Sequence, residues 1–389
     1  MEYSFEMTTN RINLSRILNS NIISIMNFQR VFLRLFLFSA LAGVSVAQAQ
    51  KKAVLAYYAG GLQELDGYDP NNFTHIIYCF GHLNGDKLHI RSSRDTQMIS
   101  KMVGMKKKNP DLKVLLSLGG WGGCRTCSEV FSTSAGREAF VNSVKSLTDH
   151  FGSDGIDLDW EYPAIEGPPG HRFTPEDKGN FTQLVKRLRE VLGPSQTITF
   201  AAGGFRKFLE EAIDWQSVMP YVDLVNLMTY DLINDYSKVT GHHTALYSTS
   251  FQKESTDSCV RWLLSHGVDP GKLIVGAAFY ARIWKDVPPT SNGLNQSGNF
   301  QRTVGFSAFE KELSTASGFK HHWDSTAQAP YAYDEEHGRF ATFDDKRSIE
   351  AKTRYVLKLG LGGIMFWHLG QDTRENGLVH TIVQTLRGK

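Results

Sequence analysis

Residues 154–163 read DGIDLDWEYP, and this decapeptide decides how the rest of the chain is read. Side chains of a β-strand alternate between its two faces. Ile156, Leu158 and Trp160 therefore share one face, and Asp157, Asp159 and Glu161 share the other. Asp154 has the opposite parity to the acids and is expected to order the strand entrance. If the apolar face packs on helices, the acids point into the centre of a closed sheet and climb toward its C-terminal mouth, where barrel enzymes do their chemistry. Carboxylates spaced roughly 7 Å apart on one strand face cannot all ionise cheaply in a low-dielectric interior. Their pKa values are pushed apart, and one becomes a carboxylic acid at neutral pH, as general acid catalysis requires. Two structural readings compete. A solvent-facing antiparallel strand is disfavoured because neighbouring strands read as buried on both faces. A calcium loop of the EF-hand type needs glycine at its sixth position and has no use for Ile, Leu and Trp between ligands.

Outward from this strand the chain has a regular rhythm. Apolar runs occupy 54–58, 75–80, 113–120, 155–163, 197–204, 223–231, 272–280 and 362–370. Near-continuous apolar runs suit strands of a parallel sheet covered on both faces. Most of the intervals hold amphipathic helical segments, such as 134–151, 174–192, 255–267 and 346–360. Thr174 with Asp177 resembles a capping box, and the first interval is the one weak in helix. Eight alternations predict an α/β fold, a (β/α)8 TIM barrel, over 51–389. A doubly wound sheet is the competing architecture, but no Gly-x-Gly-x-x-Gly follows the first strand. Residues 283–342 are too long for an ordinary loop and are expected to form a small α+β insertion on the rim.

The N-terminal fifty residues are expected to stand outside the fold. Arg30 and Arg34 precede an uncharged apolar run from Leu35 to Val46, and Ala47-Gln48-Ala49 offers a cleavage site. This is the layout of a secretory signal peptide over 26–49, and the run is too short to span a bilayer. Residues 1–25 would then be a doubtful upstream extension, with Met26 as initiator. Export to the extracellular space, or to a periplasm, places the thiols in an oxidising compartment. Cys124 and Cys127 lie in GGWGGCRTCSEVF (119–131), where a loop disulfide is favoured over free thiols; Cys79 and Cys259 read as buried and inert. The chain of 389 residues carries 42 Lys+Arg against 40 Asp+Glu, a net charge of +2, which gives no electrostatic case for nucleic acid. With aromatics at 12%, stacking surfaces are available beyond the needs of a core.

The motif DGIDLDWE resembles the D-x-x-D-x-D-x-E signature of family 18 glycoside hydrolases, the chitinases and their relatives. SLGGW (117–121), with Gly119 and Gly120, resembles that family's third strand, MTYD (228–231) its sixth, and Trp367 in GGIMFW the tryptophan of its eighth. The segment 283–342 resembles its α+β insertion. The resemblance implies a retaining, substrate-assisted hydrolysis that lies outside the usual two-carboxylate scheme. Glu161 would be the acid and base, and Asp159 would hold the acetamido N–H. Asp157 would share a proton with Asp159, and Tyr230 would orient the acetamido oxygen. Chitin and chitooligosaccharides are the implied substrate, with no cofactor and no metal, and a monomer without a membrane span is expected. Trp367 would floor the distorted sugar. Trp121, Tyr58, Tyr162, Met228, Asp231, Tyr280 and Arg282 are candidate binding residues, and Tyr333 is a candidate for the cleft wall. His368 is left out of the site because it follows Trp367 with the opposite parity. Ala278 and Ala281 depart from the family's pattern on strand seven, and the tryptophan that often follows the paired tyrosines of strand one is missing. Two other readings remain within the resemblance: a chitin-binding lectin, which would have lost the acid, and an endo-β-N-acetylglucosaminidase, whose members often lack the insertion.

Overall fold

The structure is a computed structural model and is described from residue 52 to residue 388. The expected upstream extension and signal peptide lie outside the described residues. The chain forms β1 (Ala53–Tyr58), β2 (His75–Asn84), β3 (Lys87–His89), α1 (Ser93–Gly104), β4 (Lys113–Gly119), α2 (Cys127–Ser132), α3 (Ser134–Phe151), β5 (Gly155–Asp159) and α4 (Asp177–Leu192). It continues with β6 (Thr197–Gly203), α5 (Arg206–Glu211), α6 (Trp215–Val218), β7 (Leu224–Met228), α7 (Thr256–Ser265) and β8 (Leu273–Ala278). After β9 (Tyr280–Lys285), β10 (Asn299–Gly305), α8 (Phe309–Glu312), β11 (Lys320–Asp324), β12 (Ala329–Asp334) and β13 (Arg339–Thr342), it ends with α9 (Lys346–Lys358), β14 (Gly363–Trp367) and α10 (Leu378–Leu386).

Eight of these strands are parallel and run β1-β14-β8-β7-β6-β5-β4-β2, and β1 pairs with β2 to close the ring. This is a (β/α)8 barrel. β3 folds back on β2 as an antiparallel hairpin. The first interval holds only two short 3-10 turns, so the ring of helices is incomplete there. Parity decides which side chain enters the barrel. Leu55, Tyr57, Ile77, Leu115, Ile274 and Met365 pack together inside it, while Val54, Ala56, Ile156 and Leu158 belong to the larger core between strands and helices. Trp160 is buried in that outer layer against Phe131 and Phe181.

The Thr174–Asp177 pair forms half of the anticipated box: the Thr174 N–H donates to Asp177 Oδ2 at 2.9 Å, but the helix starts at Asp177 with Glu176 as its cap residue. Asp177 also accepts from Ser128 at 2.9 Å and so ties α4 to α2.

β9 to β13 make a second, antiparallel sheet in the order β10-β9-β13-β12-β11. It begins at Tyr280, three residues before the expected boundary, because β9 leaves β8 after a single intervening residue, Phe279. The return to the barrel is held by a buried ion pair. Lys352 Nζ lies 2.6 Å from Asp344 Oδ2, and both side chains are fully buried. Asp344 also accepts from the Ala278 N–H at 3.0 Å, the Thr244 hydroxyl at 3.0 Å and the Ser348 hydroxyl at 2.7 Å.

Removing one partner of such a pair leaves an uncompensated buried charge. Lys352→Met is expected to cost about 3–5 kcal/mol in chemical denaturation. A loss below 1 kcal/mol would show that the pair does not hold the junction.

Candidate active site

The strand that carries the acids ends at Asp159, and Glu161 follows just beyond it at the C-terminal mouth. Asp157 and Asp159 are buried and Glu161 is 9% exposed. Asp154 lies at the opposite end, where its Oδ2 accepts the Val114 N–H at 2.7 Å and lies 2.6 Å from Lys106 Nζ.

Asp157 is the deepest acid and the best satisfied. Its Oδ2 accepts from the Tyr57 hydroxyl at 3.1 Å and the Ser117 hydroxyl at 2.8 Å. Its Oδ1 accepts from the Thr199 hydroxyl at 2.5 Å and the Asn226 amide at 3.1 Å. Burial raises its pKa, and these four bonds work against that rise. Asp159 has the opposite environment. Its Oδ1 is buried without a hydrogen-bond partner, and no hydrogen bond joins it to Asp157. Burial, then the charges of Glu161 and Asp157, push its pKa well above the carboxylate range. The coupling expected between the two aspartates therefore acts through space in this structure. Burial raises Glu161 to about 7, with the Asp231 charge adding to the rise and a bond from Tyr162 opposing it.

Two glycines allow this approach. Gly119 has φ 116°, and a Cβ there would stand 2.1 Å from the Asp159 carbonyl oxygen. Gly120 has φ 77°, donates its N–H to the same carbonyl at 2.9 Å, and a Cβ there would meet the Phe80 ring at 2.5 Å. The loop that follows is closed by a disulfide between Cys124 and Cys127.

Above the acids lies a cleft of about 570 Å³. Asp159, Glu161, Tyr162, Met228, Tyr230, Asp231, Tyr280, Arg282, Trp121 and Trp367 all line it. Trp367 stacks on Phe80 with centroids 5.6 Å apart and planes 17° apart. Trp121 stands 53% exposed at the rim, edge-on to Tyr162. The Tyr230 hydroxyl has only a long contact, 3.9 Å, to the Met365 sulfur, which leaves it free for a ligand. Asp231 Oδ1 accepts from the Tyr280 hydroxyl at 2.7 Å and Arg282 Nε at 2.5 Å. Burial would raise Asp231, but the nearby His243 and the bonded Arg282 hold it below the ordinary carboxylate range.

Two readings need correction. Tyr58 does not reach this cleft. It points outward, packs edge-on against Tyr68, and its hydroxyl donates to the Gly61 carbonyl at 2.6 Å. Tyr57 is the inward residue of that strand. Tyr333 is buried in the insertion's own core, donating to the Val287 carbonyl at 2.7 Å, and does not line the cleft wall. Cys79 lies on the inner side of the barrel. It packs beside inward residues, and burial raises its thiol pKa, followed by the charges of Asp157 and Asp159. Sequence reading also missed Phe80, Ser117, Thr199 and Asn226. Strand parity with Asp157 could have found Ser117, Thr199 and Asn226, because they occupy inward positions on neighbouring strands.

A (β/α)8 barrel whose mouth holds buried carboxylates under a cleft of aromatic rings defines a glycoside-hydrolase type of protein. Residues 49–372 match the family model described as Glycosyl hydrolases family 18, and the chain belongs to that family. It is 32% identical over 301 residues to Chitinase A1 of Niallia circulans, covering 71% of this chain and 43% of that protein. It is 29% identical over 337 residues to Probable chitinase 2 of Drosophila melanogaster, covering 80% of this chain and 69% of that one. The chain thus spans less than half the length of the first relative. Among solved structures it resembles a family 18 N-acetylglucosaminidase from Paenibacillus barengoltzii, with a TM-score of 0.78 and 35% identity over 86% of this chain and 99% of the other.

A carboxyl group whose folded pKa exceeds its unfolded value stabilises the fold only where it is protonated. For Glu161 the contribution is complete below the ordinary 4.5 and is lost as pH rises through about 7. Glu161→Gln removes the cost of ionising the buried group. Its Tm relative to the parent should therefore rise between pH 4.5 and pH 8, as read by scanning calorimetry. A Tm difference independent of pH would contradict the raised pKa.

Proposed function

We propose that the protein hydrolyses β-1,4 linkages of chitin and chitooligosaccharides, with retention, using the substrate's own acetamido group as nucleophile. The observation that carries this reading is the buried ladder: a satisfied Asp157, an unpartnered Asp159 and a Glu161 raised to about 7, beneath a stacked Trp367–Phe80 platform. The match to family 18 and the chitinase relatives support it.

Trp367 would take the face of the sugar at the cleaved bond. The acetamido N–H would donate to the free Oδ1 of Asp159, and the free Tyr230 hydroxyl would donate to the acetamido oxygen. Held in line, that oxygen attacks the anomeric carbon, a proximity effect. Glu161 gives its proton to the departing glycosidic oxygen, and the bond breaks to leave an oxazolinium ion. The Asp159–Asp157 pair supplies the negative field that stabilises it. Glu161, now ionised, takes a proton from water, which opens the oxazolinium ring and restores the acetamido group. Trp121 would stack under the leaving portion, and Asp231 would bind sugar hydroxyls through its free oxygen. Met228 and Tyr162 would line the same subsites, and Tyr280 and Arg282 would act through Asp231. The lectin reading is disfavoured because all three acids are present and the acid is raised. Similarity to an N-acetylglucosaminidase makes single N-acetylglucosamine units a second product to look for on the same substrate.

Chromatography of products from chitooligosaccharides is expected to show N-acetylglucosamine units or short oligomers, and Glu161→Gln should lower kcat by about 10²–10⁴-fold. Unchanged turnover would remove Glu161 from the role of acid. Tyr230→Phe should lower kcat far more than it raises KM, because the contact tightens as the acetamido oxygen attacks. A change confined to KM would limit Tyr230 to ground-state binding.

A further inference from the structure

The cleft face of Asp231 has an unassigned partner behind it. The loop between β7 and α7 brings His243 to a fully buried seat, with Nδ1 3.4 Å from Asp231 Oδ1. The backbone locks this approach from both sides. The His243 carbonyl accepts the Leu232 N–H at 3.1 Å, and the His243 N–H donates to Thr342 Oγ1 at 3.1 Å, at the last residue of β13. The ring packs against Tyr280 with centroids 5.2 Å apart. Both ring nitrogens are buried without a hydrogen-bond partner in this structure, and Nδ1 is the one that faces Asp231. The next residue, Thr244, bonds through its hydroxyl to both Asp344 and Lys352, so the loop cannot drift without breaking those buried hydrogen bonds. Asp231 itself has φ 56°, a left-handed conformation that Asp tolerates better than most residues but does not prefer.

We propose that His243 is a positioning residue for Asp231: its Nδ1–H supplies, with Tyr280 and Arg282, a third donor to Oδ1, and the set turns Oδ2 toward substrate. This rests on the reading of Asp231 as a sugar-binding carboxylate. Tyr280 and Arg282 hold the carboxylate before substrate arrives, and His243 would close from 3.4 Å as the third donor that fixes its rotamer. They also keep it ionised, and an ionised Asp231 is one of the groups that raise Glu161. The histidine is neutral, since burial lowers its pKa, so it acts by donating a hydrogen bond rather than by its charge.

The groups that face Asp231 are few. Tyr280 and Arg282 come from β9, Glu161 and Tyr162 from the end of β5, and Tyr230 and Asp235 from its own loop. Asp344 lies within reach of His243, with Lys352 paired behind it. Of these Tyr280 and Arg282 donate to Asp231 Oδ1, and His243 approaches the same oxygen at 3.4 Å. His243 differs from Arg282 in carrying no charge, so its removal tests orientation and hydrogen bonding alone.

Asn places its amide nitrogen where His places Nδ1, whereas Gln places its nitrogen near the Nε2 position and Leu has no donor. The test measures kcat and KM separately on a chitooligosaccharide, with Tm on the same samples, for the parent, His243→Asn, His243→Leu and His243→Gln. His243→Leu and His243→Gln should lose about tenfold in kcat/KM, chiefly through KM. His243→Asn should keep the KM of the parent even though the smaller side chain leaves a void and lowers Tm. If the role were only structural, activity would follow Tm, with His243→Asn worst; that result overturns the proposal. Should His243→Leu fail to fold, the comparison of Gln with Asn decides it. A parent inactive on every chitooligosaccharide would refute the functional reading instead, which keeps the two failures apart.

Discussion

The cost of placing three carboxyl groups inside one barrel governs the rest of this structure. A buried carboxylate must find donors or take up a proton. The chain uses both solutions on one strand. Asp157 takes donors from four different strands: Tyr57 from β1, Ser117 from β4, Thr199 from β6 and Asn226 from β7. Those strands converge on one point only when the ring is closed, so the fold and the ionic state of the ladder are the same requirement. Asp159 and Glu161 receive no comparable set of donors, and their acidity is suppressed. The gradient runs from satisfied and deep to protonated and near the mouth, in the direction from which a substrate would enter.

The insertion contributes to the site through two of its strands. β9 supplies Tyr280 and Arg282 to Asp231, and β13 supplies Thr342 to the backbone of His243. Because β9 and β13 pair with Arg282 opposite Thr342, the two contacts share one register and move together. The Asp344–Lys352 pair then fastens the exit of this sheet to the N–H of Ala278 on β8. Asp231 thus sits where barrel, insertion and the loop after β7 meet.

Much of this was legible in the chain because period-two alternation survives in a parallel barrel. The ladder, the eight strands and the outward Trp160 all follow from parity and from apolar runs between turns. Where parity was set aside, the reading failed. Tyr58 was preferred over Tyr57 because it ends the strand, yet alternation sends Tyr57 inward beside Leu55. Tyr333 lies in a strand of a different sheet, whose faces the barrel's rhythm cannot assign. Phe80 and His243 were beyond reach for another reason. Their positions depend on how β2 and the loop after β7 leave the ring, and no local pattern encodes that. The four-donor set around Asp157 is intermediate: each member has the right parity, but only closure of the ring shows that they meet.

The central claim is that the substrate's acetamido group, its N–H held by Asp159 and its oxygen by Tyr230, displaces the leaving group before water arrives. Two successive inverting displacements, on opposite faces of the anomeric carbon, restore its configuration. Time-resolved proton NMR of chitotetraose hydrolysis reads that configuration directly. The account predicts that the new reducing ends appear first as the β-anomer and then mutarotate; α-anomer appearing first would contradict it.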